Sequence, residues 1–207
     1  MKTGRWTRVG IGGVAALVAC LLVAPGAQAK HKKVVTKNYE VGVGAPAGGL
    51  PLSIPDGGGA AEQLVRDPIA VRGLNPRGKI KDVNVSVRIS HPFASDLEVY
   101  LASPRGVINL SHDVGGTGNN YGNGFAGCAG GLTTFDSQSP TLISTPGLQA
   151  PFVGTFAPQE SLHLLSGLGD KKATNATWSL LVMDDNNQHG TGTLDCFRLS
   201  IRASNPK

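Results

Sequence analysis

The chain has 207 residues, room for one domain of ordinary size and too few for two large ones. Glycine is abundant at 29 residues, while charged residues make up 16% and aromatics 5%, a profile that many short strands joined by glycine-rich turns would give and partial disorder would give too, and the repeated β-branched runs favour strands. The formal charge of +5 overstates the basicity: Lys2, Arg5, Arg8, Lys30, Lys32, Lys33 and Lys37 all precede Asn38, after which 12 Lys and Arg face 14 Asp and Glu, so no basic face with interleaved aromatics argues for nucleic acid.

Lys2, Arg5 and Arg8 form a positive n-region ahead of the apolar run Val9–Ala24, and Ala27-Gln28-Ala29 is a small-x-small cleavage site. Residues 1–29 therefore read as a signal peptide cleaved after Ala29, which predicts a secreted, extracellular protein with no stable membrane insertion after cleavage. The apolar run of 16 residues contains Gly10, Gly12 and Gly13 and is short for a span. Leu17-Val18-Ala19-Cys20 resembles a lipobox, so a lipoprotein anchored at Cys20 is the alternative, although the chain stays apolar beyond that cysteine. Cleavage leaves Cys128 and Cys196, and an exported chain with two thiols is expected to join them in one disulfide.

Residues 30–48 are basic, then rich in Gly and Ala, and read as a flexible segment before a domain over 49–204. A strand is expected near Leu50–Ile54, followed by a turn at Pro55-Asp56-Gly57-Gly58-Gly59. Leu64–Val71 is a further strand that Pro68 confines to an edge or a bulge. Val83, Val85, Val87 and Ile89 alternate with Asn84, Ser86 and Arg88, the period of a half-buried strand. Leu97, Val99 and Leu101 repeat that period, with Glu98 and Tyr100 on the other face. Ser103-Pro104-Arg105-Gly106 is a tight turn into Val107–Leu110. Residues 111–131 form a long loop rich in Gly and Asn, of a length that is usually functional. Strands are expected again over Pro151–Phe156, Thr177–Met183 and Leu194–Arg202, the last two joined as a hairpin by the Asp184–Gly192 loop. No segment keeps a 3.6-residue apolar period, so helices are few or short. The fold class is all-β, a β-sandwich of jelly-roll type.

Seven segments, taken in order, resemble the P domain (P/Homo B domain) of kexin- and furin-like proprotein convertases. They are Val83–His91, Ser95-Asp96-Leu97, Leu101–Gly106, Thr134-Phe135-Asp136, Pro151–Pro158, Trp178-Ser179-Leu180 with Asp184, and Gly192–Phe197. Ser95 replaces a Gly, Ser137 replaces a second Asp, and Phe197 stands where the family has Trp. The resemblance implies a jelly-roll sandwich of galactose-binding-like type. In the family, this domain follows a subtilisin-like protease domain, helps it fold and stay stable, and participates in its response to calcium.

The chain itself is not expected to be an enzyme. The region before residue 80 is too short for the α/β scaffold of a subtilisin-type triad, and no Gly-Thr-Ser-x-x-x-Pro stretch supplies a nucleophile. His31, His91, His112, His163 and His189 sit in no triad or HExxH setting, and His91, at a strand end, is expected to bond a turn. Calcium needs six to eight hard oxygens. Asp96, Asp136, Asp184 and Asp185 are the expected ligands, with Asp113 as a further donor, while the opposing reading has these carboxylates capping Asx turns. The Asn-x-Ser/Thr sites at Asn84, Asn109 and Asn175 read as accidental. The function expected is a non-catalytic module that binds a secreted protease or another exported protein. A carbohydrate- or envelope-binding jelly roll is the alternative, and the scarcity of exposed aromatics weighs against it.

Overall fold

The computed structural model describes residues 33–42, 49–57, 64–123, 127–169 and 175–205. The signal peptide expected over residues 1–29 and the alternative anchor at Cys20 lie outside the described residues, as do parts of the 30–48 segment. Among the described residues ten strands follow in chain order: β1 (Lys33–Gly42), β2 (Leu52–Ile54), β3 (Val65–Ala70), β4 (Ile80–Ser90), β5 (Leu97–Ser103), β6 (Gly106–Ser111), β7 (Thr133–Phe135), β8 (Gly154–Phe156), β9 (Thr177–Asp184) and β10 (Gly192–Asn205). Among the described residues the helical elements are two 3-10 turns, Ala94–Asp96 and Leu162–Leu165, and no helix is long and apolar enough to cross a membrane.

The strands form two sheets, as the alternating patterns require. One runs β1-β10-β4-β7-β8, with β2 also paired to β10, and the other runs β3-β9-β5-β6. All pairings are antiparallel except β7 with β8. Between the sheets, Val83, Val85, Val87 and Ile89 of β4 and Phe197, Leu199 and Ile201 of β10 face Leu97, Val99 and Leu101 of β5 and Trp178, Leu180 and Val182 of β9, all buried. Burying such side chains contributes about 1.5–3 kcal/mol each, so this doubled row of apolar residues is what holds the layers together.

Two sequence expectations need correcting. Residues 33–42, expected in a flexible segment, form β1 and pair with β10 along its length, from Lys33 opposite Asn205 to Gly42 opposite Cys196. This pairing is made by backbone groups, which a lysine-rich strand supplies as well as an apolar one. The expected β9–β10 hairpin is absent, because β9 lies between β3 and β5 while β10 lies between β1 and β4 in the other sheet. Alternation identifies each strand and its buried face but not the sheet to which it belongs.

A bulge at Asp195 shifts the β10 register, since Leu194 pairs with Ile89 and Cys196 with Arg88. The extra residue resets the parity, so that Leu194 and Phe197, three apart, both face the core. Cys196 is thereby turned to the outer face, where it is joined to Cys128, as expected from sequence. The loop carrying Cys128 is fastened there by Arg88 Nη2, which donates to the Ala129 carbonyl at 3.1 Å, and by Arg198 Nη2, which donates to the Cys128 carbonyl at 3.3 Å.

Strand β3 is an edge strand containing Pro68, as expected. On its inward face Asp67 is fully buried, and among the described residues neither carboxyl oxygen has a hydrogen-bond partner. An inward-pointing charge is one of the ways an edge strand is kept from pairing with another chain. Burial pushes the Asp67 carboxyl up to about 6 from 3.8. Because the folded value exceeds the unfolded one, the associated stability is present below pH 3.8 and is lost as pH rises through about 6. Asp67→Asn is therefore expected to be more stable than the parent at neutral pH, with the gap closing in acid. Denaturant melts at the two pH values measure this, and a gap that widens in acid would contradict it.

Candidate functional site

One end of the β3-β9-β5-β6 sheet collects acidic and imidazole groups. The Ala94–Asp96 turn leads into β5, and Leu97 pairs with Asp184 at the end of β9. The next residue along, Asp185, donates its backbone N–H to the Asp96 carbonyl at 3.0 Å. The β5–β6 hairpin brings in the third segment. Its ladder pairs Ser103 with Gly106 and Tyr100 with Asn109, then shifts by one so that Val99 pairs with Ser111. That shift carries His112 across to Glu98, where the unshifted ladder would have brought Ser111.

Two buried or half-buried histidine–carboxylate pairs stabilise this end. His91 Nε2 lies 3.0 Å from Asp184 Oδ2, with both side chains fully buried, and His91 Nδ1 lies 2.7 Å from the Phe93 carbonyl. Asp184 Oδ1 accepts the Asn186 backbone N–H at 3.0 Å. Burial raises the Asp184 carboxyl, with the Asn186 N–H and His91 opposing that rise. His189 Nδ1 lies 2.7 Å from Asp96 Oδ2, and its ring stacks on Phe93 at 4.0 Å. Gly192 passes close over this arrangement: a Cβ there would stand 2.6 Å from His91 Cδ2 and 2.6 Å from the Ser90 carbonyl oxygen. The glycine of the Gly192–Phe197 segment is thus required by His91. His91 bonds the turn at the end of β4, as expected from sequence.

Beside these pairs lies a more open group. His112 Nε2 is 3.1 Å from Glu98 Oε1 and 3.1 Å from Asp113 Oδ2. Ligand atoms of Glu98, His112 and Asp185 all lie within 4.8 Å of one another, close enough to hold a metal ion. Tyr100 donates its hydroxyl to Glu98 Oε2 at 2.7 Å. Burial raises the Asp185 carboxyl, and the charges of Asp113 and Glu98 raise it further, against the opposite pull of His112. Burial, the bond to Glu98 and the surrounding negative charges also push the Tyr100 phenol well above its usual range.

Of the calcium ligands expected from sequence, Asp96, Asp184 and Asp185 are brought to this one end. Asp136 is not among them. It follows β7 in the other sheet, where Oδ1 accepts the Gln138 backbone N–H at 2.8 Å in an Asx turn and Oδ2 accepts from Asn84 Nδ2 at 3.4 Å. Asp113, noted as a further donor, joins the open group. Glu98 and His112 were not singled out as ligands.

The elements framing this end, from β4 through β6 and the loop after it, coincide with a known family model. Residues 80–125 match the proprotein convertase P-domain. The P-domain match therefore covers β4, the Ala94–Asp96 turn, β5, β6 and His112–Asp113, and it supports the resemblance read from the sequence. No curated protein matches the chain by sequence. Among solved structures, the chain is similar to the serine protease of Aeromonas sobria in complex with its chaperone, at 18% identity and a TM-score of 0.41 over 84% of this chain and 28% of that one. It is also similar to the serine protease of Aeromonas sobria without that partner, at 18% identity and a TM-score of 0.39 over 82% of this chain and 27% of that one. The chain thus spans little more than a quarter of the length of those structures.

Proposed function

We propose that the protein is a secreted, non-catalytic accessory module that associates with a protease or another exported protein. The observation that carries this reading is the P-domain match over residues 80–125, in the family whose domain accompanies a protease domain. The leader and the disulfide agree with an oxidising, extracellular setting. A hollow of about 510 Å³ beside the β5–β6 turn offers Val107 and Leu164, both exposed, and its lining contains no Trp, Tyr or Phe. A sugar-binding face would be expected to use such rings, which favours a protein partner over a carbohydrate.

We further infer that the acidic end of the β3-β9-β5-β6 sheet holds a cation. Glu98 and Asp185 supply hard oxygens of the kind calcium takes, and a cation there would offset both the burial that raises Asp185 and the repulsion from Asp113 and Glu98 that adds to it.

Affinity capture from culture medium on the immobilised protein tests the main reading. The expected result is recovery of a defined exported protease that rebinds as a purified protein. Retention of the chain on peptidoglycan or polysaccharide, or labelling of the chain by an active-site serine probe, would overturn it.

A further inference from the structure

The cation site inferred above contains a nitrogen donor, which changes the ion it should select. We propose that Glu98, His112 and Asp185 form a site for a borderline divalent transition-metal ion such as zinc, in preference to calcium. The inference rests on the reading that this end of the sheet binds a cation.

Geometry distinguishes His112 from the other two histidines at this end. His91 is fully buried against a single carboxylate, and His189 bonds one carboxylate while stacked on Phe93. His112 Nε2 instead faces two carboxylate oxygens, at 3.1 Å each, with its side chain 39% exposed, so an ion can reach it from solvent. Neighbouring ligand atoms around an ion bound at about 2.1 Å stand roughly 3.0–3.4 Å apart, and the 3.1 Å between His112 Nε2 and Glu98 Oε1 falls in that interval. Asp185, exposed, completes the group from the end of β9.

The surroundings supply what a metal ligand needs from its neighbours. Tyr100 holds Glu98 Oε2 by a hydrogen bond, which leaves Oε1 directed at His112. Such outer contacts orient ligands and typically change metal affinity by about 10- to 100-fold when removed. Calcium takes oxygen ligands, whereas imidazole suits zinc, copper, nickel and iron. One imidazole with two carboxylates is therefore a donor set better matched to a borderline ion.

The test uses the chelator-treated protein, with zinc chloride and calcium chloride titrated separately by calorimetry. Zinc is expected to bind one site at least about tenfold more tightly than calcium. His112→Ala should weaken zinc by about tenfold or more and leave calcium within a factor of about three, while His163→Ala, at an exposed histidine away from the site, should change neither. Cobalt in place of zinc should give visible absorption bands that His112→Ala abolishes. Glu98→Gln provides a second variant, and an unchanged ion-free melting midpoint shows that each variant folds. Calcium binding as tightly as zinc, or zinc binding indifferent to His112→Ala, would overturn the inference and leave the cation reading standing. Binding of neither ion would overturn both.

Discussion

Replacing both Cys128 and Cys196 by serine is expected to destabilise the protein by roughly 4 kcal/mol, the chain-entropy value for opening a loop of this length. The two residues are 68 apart in sequence. For a domain of this size the melting temperature should fall by about 10 °C. The loss has a local component as well. The disulfide anchors a loop whose carbonyls at Cys128 and Ala129 are held by Arg198 and Arg88 on the outer face of the sheet. Arg88 is buried and, among the described residues, its Nε and Nη1 have no hydrogen-bond partner, so its guanidinium is held by the Ala129 carbonyl. Freeing the loop removes that contact from a buried cation, adding to the cost. Thermal melts of the double-serine protein, compared with the disulfide-bonded parent, measure the effect. A shift of a degree or two would show that the covalent link contributes little.

His91→Ala should cost a comparable amount, about 3–5 kcal/mol, the usual consequence of removing one partner from a buried ionic pair. The ring fills the space beneath Gly192 and lies 3.0 Å from Asp184, and neither side chain is exposed. Truncation leaves the Asp184 carboxylate with the Asn186 N–H and without its imidazole. Burial already raises this carboxyl, and losing His91 removes a contribution that opposes the rise. A carboxyl with a raised folded pKa retains its stabilising contribution below the unfolded pKa and loses it as pH climbs through the folded value. The deficit of His91→Ala should therefore be largest at neutral pH and shrink in acid. Adding Asp184→Asn to His91→Ala should recover part of it by removing the stranded charge. Denaturant melts at several pH values provide the check, and a deficit independent of pH would mean that only packing had been lost.

Much of the fold was legible because half-buried strands write a period of two. The four central strands β4, β5, β9 and β10 appear in the sequence with their inward faces, and Pro68 marks β3 as an edge. What escaped has physical reasons. β1 is held by backbone pairing to β10, and Lys33 and Lys37 mask it as a solvated tail. β7 has three residues, too few to establish a period. The Asp195 bulge places two core residues three apart, which strict alternation does not anticipate. At the site, the carboxylates flanking β5 and β9 could be named from strand ends alone. Glu98 and His112 could not be paired without knowing that the β5–β6 ladder slips by one residue between Tyr100 and Val99. The turn Ser103–Gly106 was recognised, and counting outward from it places Ser111, not His112, across from Glu98.

The larger sheet has its longest strand, β10, next to β1, β2 and β4, although β10 comes last of the ten in chain order. As the polypeptide emerges from the ribosome, nine strands exist before the one that joins the first, second and fourth of them. Closing contacts between residues so distant in sequence is slow compared with forming local hairpins. The growing chain therefore cannot complete its larger sheet until residues 192–205 arrive, and until then β1, β2 and β4 wait with their pairing edges open.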